Sequence, residues 1–348
     1  MSLDWKRYEK VQKNIFDLIG LTPLLRLSKI SEEAGTDVLG KIEWYSPTGS
    51  LKDRIYYKMI TAAIERGDLK PGMEILESST GNAGIACAFV GRMLGYPVTI
   101  VMPEGMSKER RKLMAAYGAD IIFTPGGESD VDLCLEKAQE LKSKNPGKYW
   151  EPGQFSNPDN LTAHYETTGA EIWAQTGGKV DAFIASQGTG GTITGVGRYL
   201  RERKPAVKLY AIEPTEAPLL SERTWGSHRI EGIGDGFVPR NLDLSILTGI
   251  ITTTSDEALE MAQRISREEG LFCGISSGCN IAAALKLAKK HPELKTIVTM
   301  INDSGQRYFT TPLCGEPKEL DIPDREHPMD KRTKQELDKY QHNWEILH

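Results

Sequence analysis

The strongest constraint on this chain is a recurrence of short, continuously apolar runs, each followed by residues at helical spacing. The runs are MEILES (73–78), VTIVMP (98–103), DIIFTP (120–125), DAFIAS (181–186), VKLYAIEP (207–214), GIITTT (249–254) and TIVTMI (296–301). A strand with one wet face alternates apolar and polar residues. Runs that stay apolar belong to strands covered on both faces, the signature of parallel sheets between helix layers. Helical patterns fall between them at 106–118, 130–144, 160–176, 191–203, 256–269 and 278–290. The fold class is therefore α/β, with mostly parallel sheets and helices on both faces.

Composition removes several functions. The length, 348 residues, suggests about two domains. The formal charge of −5 gives no basic face for nucleic acid. No apolar run approaches the ~18 residues of a membrane span. The opening MSLDWKRYEKVQKN has no apolar stretch ahead of a cleavage site, so a cytoplasmic protein is expected. Its five cysteines (Cys87, Cys134, Cys273, Cys279, Cys314) are scattered without a CxxC pair. They read as reduced thiols, and no metal site is assigned.

Three strand-to-helix junctions carry polar chemistry. SQGTGGTITG (186–195) offers Gly188, Thr189, Gly190, Gly191 and Thr192 at a helix start, where free backbone N–H groups attract an anion, phosphate above all. A purely structural turn explains the same glycines. The loop lacks a P-loop ending and does not fit the dinucleotide GxGxxG register. ESSTGNAG (77–84) presents Ser79, Thr80, Gly81, Asn82 and Ala83, suited to a carboxylate. GISSG (274–278) is explained as well by an N-cap as by a site. In SPTGSLKDR (46–54), Lys52 opens a helix, a position that the helix dipole does not favour for a cation. Either it pairs with Asp53 or a neighbouring helix, or it has a chemical task.

Together these segments resemble one family, the cysteine synthase / cystathionine β-synthase group of fold-type II pyridoxal-phosphate (PLP) enzymes, whose fold is tryptophan synthase β-like. The resemblance runs in order through IGLTPLLRL (19–27), SPTGSLKDR, ESSTGNAG, QFSNPDN (154–160), TTGAEIW (167–173), GTGGTITG, EGIGDGF (231–237), GISSG and DSGQRY (303–308). It implies that Lys52 carries PLP as a Schiff base and then takes the Cα proton. It implies that Gly188, Thr189, Gly190, Gly191 and Thr192 hold the phosphate, that Asn82 meets the ring hydroxyl, and that Ser276 meets the pyridine nitrogen. Ser79, Thr80, Gly81, Asn82, Ala83 and Gln154 would form the substrate-carboxylate site. The implied reaction is β-replacement or β-elimination on a serine- or cysteine-type amino acid through an aminoacrylate, with O-acetylserine and sulfide giving cysteine as the default. Cysteine breakdown with release of hydrogen sulfide, cystathionine synthesis, the threonine dehydratase branch and a non-catalytic scaffold are the alternatives. A homodimer is expected.

Two departures stand out. Ala83 replaces a hydroxyl residue common in sulfhydrylases, and Asp235 stands in GIGDGF where they carry a small apolar residue. Asp235 either closes a turn before Gly236 or orients water or a thiol as the nucleophile. No arginine lies in the matched substrate loops for a substrate phosphate. The short segment before the family body, without Cys or His, and the short C-terminal arm imply neither haem nor a regulatory module. The expected organisation is a smaller mobile domain at 46–157, a larger one at 1–45 plus 158–314, and an arm at 315–348. In the arm, Trp344, Ile346 and Leu347 are either a dimer contact or a solvated tail.

Overall fold

Among the described residues, ten strands build two sheets: β1 (Leu24–Arg26), β2 (Asp37–Ile42), β3 (Glu74–Ser78), β4 (Val98–Pro103), β5 (Asp120–Thr124), β6 (Tyr149–Trp150), β7 (Ala182–Ser186), β8 (Lys208–Pro214), β9 (Gly249–Thr253) and β10 (Thr296–Ile301). The computed structural model describes residues 3–79, 81–126 and 131–315, together with Lys331. Thr80 and nearly all of the C-terminal arm, with Trp344, Ile346 and Leu347, therefore lie outside the described residues. The chain up to Gly315 forms one compact unit.

The larger sheet has the order β1-β2-β10-β7-β8-β9 and the smaller one β5-β4-β3-β6. Every pairing is parallel except β1 with β2. Helices cover both faces of each sheet, as the apolar runs require. On the six-stranded sheet, Ala258, Ala262 and Ile265 of the helix Ser255–Glu268 pack with Ile281 and Ala284 of Ile275–Lys290 in one cluster. Ile172, Ile193, Val196 and Leu200 form the cluster on the other face. The four-stranded sheet carries the helices Lys52–Arg66 and Asn82–Met93 on one side, and Cys134 and Ala138 of Val131–Lys144 on the other. Close approach is built into Asn82–Met93, where a Cβ on Gly91 would come within 2.5 Å of Val98.

The seven apolar runs match β3, β4, β5, β7, β8, β9 and β10 to within a residue or two at either end. The expected single helix at 160–176 is instead three pieces, Pro158–Ala163, a π turn at His164–Gly169, and Ala170–Thr176. Such wide turns concentrate at functional sites, and this one carries His164, whose Nε2 lies 3.2 Å from Thr192 Oγ1. The helix expected at 278–290 begins earlier, at Ile275, because GISSG continues the helix rather than preceding it.

Candidate active site

The loops after β3, β7 and β10 all leave from carboxyl ends of parallel strands, where α/β folds gather their ligand sites. They line one cavity of about 980 Å³, its open mouth included. Its walls include Lys52, Ser79, Gly81, Asn82, Ala83, Gln154, Gly188, Thr189, Gly190, Thr192, Asp235 and Ser276. The structure thus gathers nearly all of the sequence-derived candidates around one space. Gly191 stands at the first turn of the adjoining helix Gly191–Arg203.

Lys52 is the first residue of the helix Lys52–Arg66. Pairing with Asp53 is ruled out. The Asp53 carboxylate is buried and accepts the Thr48 N–H at 2.7 Å and the Thr48 hydroxyl. Among the described residues Lys52 forms no ion pair, and it lines the cavity. Burial lowers the pKa of its amine, against the opposing pull of Asp235 and Asp303, which shifts the balance towards the neutral, nucleophilic form. The helix is anchored two residues on. Arg54 bonds Glu43 at 2.7 Å and Glu171 at 2.6 Å, and Lys41 lies 2.7 Å from Glu171, all four being buried. Two cations against two carboxylates make this network neutral, which is what lets it sit in a core.

The glycine loop packs tightly against the protein and opens a helix. Gly190 has φ +76° and caps the helix Gly191–Arg203 without a side-chain partner, so the first N–H groups are left to a ligand. A Cβ on Gly188 would reach 2.5 Å from the Gly232 carbonyl, one on Gly190 would reach 2.8 Å from the Leu242 nitrogen, and one on Gly191 would overlap Asn160 Oδ1. Asn160 Nδ2 donates to Thr189 Oγ1 at 3.1 Å, fixing that hydroxyl.

At the substrate loop, Ser79 Oγ accepts the N–H of Gly84 at 2.9 Å and of Gly81 at 3.2 Å, capping the helix Asn82–Met93 from within the loop. Asn82 Nδ2 donates to Asp303 Oδ2 at 2.6 Å, while its Oδ1 is buried without a partner among the described residues. Asp303 Oδ2 also accepts from the Tyr308 hydroxyl at 2.7 Å. Gln154 Nε2 donates to Glu77 Oε1 at 3.3 Å. Ser276 Oγ accepts from Asn302 Nδ2 at 3.0 Å, which leaves the serine O–H free to donate into the cavity.

Asp235 lies between Gly234 (φ +70°) and Gly236 (φ +79°). Burial raises its pKa, and Lys52 and a bond to its own backbone lower it. Asp235 thus bonds its own backbone and also lines the cavity. Sequence reasoning missed Arg110, Glu231, Asn302 and Tyr308, which also line the cavity. Arg110, on the charged helix Lys108–Ala116, is buried, pairs with Glu231 and lies 5.1 Å from the Tyr308 ring centroid. Glu231 and Tyr308 fall in segments already singled out. Nothing in SKERRKL marks Arg110 as buried.

Comparison with known proteins agrees with this geometry. A family profile described as "Pyridoxal-phosphate dependent enzyme" matches residues 15–303. A cysteine synthase of Staphylococcus aureus is 44% identical over 306 residues, covering 88% of this chain and 98% of its own length. The crystal structure of a cysteine synthase from Entamoeba histolytica matches with a TM-score of 0.85 at 40% identity, covering 92% of this chain and 96% of that one. A hydrogen sulfide-producing enzyme from Fusobacterium nucleatum matches with a TM-score of 0.82 at 40% identity, covering 86% and 100%.

Proposed function

The chain belongs to the pyridoxal-phosphate-dependent enzymes, and on that footing we propose that it is a cysteine synthase, exchanging the β-acetoxy group of O-acetylserine for sulfide to give cysteine and acetate. The observation that carries the reading is Lys52, an amine without an ion-pair partner among the described residues, set in one cavity with an anion-shaped glycine loop and the 79–83 loop.

The residues present fit PLP. Asn82 Oδ1 is a buried acceptor without a partner among the described residues, and the glycine loop opens a helix whose cap, Gly190, makes no side-chain hydrogen bond, a start at which backbone N–H groups suit a phosphate. Lys52 would hold the cofactor aldehyde, residues 188–192 its phosphate, Asn82 its ring hydroxyl and Ser276 its ring nitrogen. Bound PLP supplies an electron sink for the pair left when the Cα proton departs.

The remaining work falls to the protein. The loop 79–83 and Gln154 take the substrate carboxylate, through backbone N–H groups at a helix start and the Gln154 amide. The Lys52 amine, whose pKa burial lowers, accepts the Cα proton as a general base. Ser276 is a neutral hydroxyl rather than a carboxylate, so it would donate to the ring nitrogen without holding a proton on it, and the electron sink that the cofactor supplies would be the weaker for it. We further propose that 46–157, which carries the four-stranded sheet, is the smaller mobile domain and closes on a bound carboxylate. The protein is proposed to work as a cytoplasmic homodimer.

A second reading rests on Asp235. A carboxylate facing Lys52 can take a proton from water, which would turn cysteine and water into serine and hydrogen sulfide. The hydrogen sulfide-producing neighbour supports it.

The test supplies O-acetylserine and sulfide to the PLP-loaded protein and measures cysteine and acetate in equal amounts. Lys52→Ala is expected to abolish both. Robust turnover by Lys52→Ala, or no cysteine from the wild type, would overturn the proposal.

A further inference from the structure

Glu77 is a buried acid that the reaction above does not use. It sits on β3, two residues ahead of Ser79, and is 3% exposed. Its Oε1 accepts from Gln154 Nε2 at 3.3 Å. Its Oε2 has no hydrogen-bond partner among the described residues, and neither has the buried hydroxyl of Tyr56. No lysine or arginine pairs with Glu77 there.

The groups that face it from the surrounding elements are neutral or acidic. Tyr56 comes from the helix Lys52–Arg66, Cys87 from Asn82–Met93, and Glu151 from the segment after β6. Glu151 itself pairs with Lys142 at 2.7 Å. A carboxylate buried without a cation is strongly disfavoured, so burial favours the neutral acid there.

We propose that Glu77 is a positioning residue held in its neutral form, whose proton lets Gln154 present its amide to the substrate carboxylate and whose ionisation expels that carboxylate. The inference rests on the reading that Gln154 contacts the substrate carboxylate. Ionised, Glu77 would draw both Gln154 N–H groups towards itself and place a second negative charge behind the loop that receives the first. Neutral, it accepts one N–H and leaves the other to the ligand. Burial pushes its pKa up to about 8, with the Tyr56 hydroxyl pulling the other way. Glu77 is therefore poised to lose its proton just above neutral pH. Binding of a carboxylate should in turn raise that pKa and draw a proton from solution.

The test titrates the PLP-loaded enzyme with L-alanine, which has no β-leaving group. Binding is followed by the cofactor absorbance and by proton uptake in weak buffer, from neutral to alkaline pH. Comparison of the wild type with Glu77→Gln cancels the titrations of alanine and of the cofactor. The ratio of the wild-type Kd to that of Glu77→Gln is expected to rise about tenfold over one pH unit above the Glu77 transition, the change that one pKa unit represents. Parallel profiles overturn the proposal.

Gln154→Ala separates the two claims. If it weakens alanine binding at neutral pH while the profiles stay parallel, only the role of Glu77 fails. If it leaves binding unchanged, the carboxylate reading fails and takes the role of Glu77 with it. Should Glu77→Gln not fold, Tyr56→Phe is expected to move the wild-type transition to higher pH, and an unmoved transition counts against the proposal. Infrared difference spectra of the wild type should show a carboxylic-acid carbonyl band lost across the same range. Its absence would overturn the idea.

Discussion

The Asn82 amide donates to the Asp303 carboxylate at 2.6 Å, tying the start of the helix after the substrate loop to the residue pair that follows β10. Asp303 also receives the Tyr308 hydroxyl and helps to offset the burial of Lys52. Replacing Asp303 with Ala removes an ionised acceptor from two buried donors, a loss of about 1.5–3 kcal/mol for a charge-assisted bond. The expected outcome is PLP affinity weakened by roughly ten- to a hundredfold, measured by equilibrium titration of the cofactor absorbance. The Lys52 pKa should fall further, because Asp303 supports its charged form. An affinity equal to the wild type would detach Asp303 from the site.

The glycine cradle makes a steric prediction. A Cβ on Gly191 would overlap Asn160 Oδ1, and Asn160 is held by bonds to the Gln154 carbonyl and to Thr189 Oγ1. The side chain cannot yield without disturbing both the carboxylate site and the phosphate loop. Gly191→Ala should cost about 1–3 kcal/mol of stability, as overpacking does, and should strip most of the cofactor. Thermal unfolding with and without added PLP checks this. The PLP-induced rise in Tm should shrink more than the Tm of the cofactor-free protein falls.

The fold and the site were legible to different depths. β4 and β10 were readable because both faces are buried and the run is apolar throughout. β2 was not, because DVLGKI holds Lys41, a lysine that reads as solvent-facing but is buried against Glu171. The π turn at His164–Gly169 left no mark in the local pattern. It is set by packing, with Gly195 letting the Leu161 carbonyl and His164 come close. At the site, Lys52 and the glycine loop lie in contiguous motifs, and the resemblance implied roles for them. Arg110 and Asn302 arrive through tertiary packing, so their spacing carried no signal. Glu77 sat in a motif already quoted, but only its burial without a cation shows that it is unusual.

The network around Arg54 makes a pH prediction. Burial alone would raise the Glu171 pKa, but Arg54 and Lys41 outweigh it and hold the carboxyl at about 2, against an ordinary 4.5. A depressed native pKa contributes stability above the unfolded value, which is lost as pH falls from 4.5 towards 2. The shift corresponds to on the order of 3 kcal/mol. Glu171→Gln leaves two buried cations with one carboxylate, costing about 3–5 kcal/mol at neutral pH. Urea unfolding should show that deficit narrowing on acidification, because the wild type loses what the variant never had. A deficit independent of pH would mean that Glu171 is not the group that titrates.

On the second reading proposed above, Asp235 favours hydrolysis over synthesis, and the two outcomes leave different products. Cysteine supplied alone can lose sulfide from Cβ. Water must then add for serine to form, and the added water must give up a proton. Asp235 lines the cavity that holds Lys52, and its pKa, raised by burial and lowered by Lys52, suits a group that takes that proton. Its ionised form is lost as pH falls through the raised value, so serine formation should decline on acidification earlier than an ordinary aspartate would cause. Asp235→Asn keeps the shape and removes the base. It is expected to lower serine formation from cysteine on the order of a hundredfold, the lower range for a positioned general base. Hydrosulfide needs no such help, so cysteine formation from O-acetylserine should change far less. Cofactor absorbance should be intact, showing that Lys52 is still engaged. If the ratio of serine to cysteine is the same in Asp235→Asn as in the wild type, Asp235 serves only the turn between its two glycines.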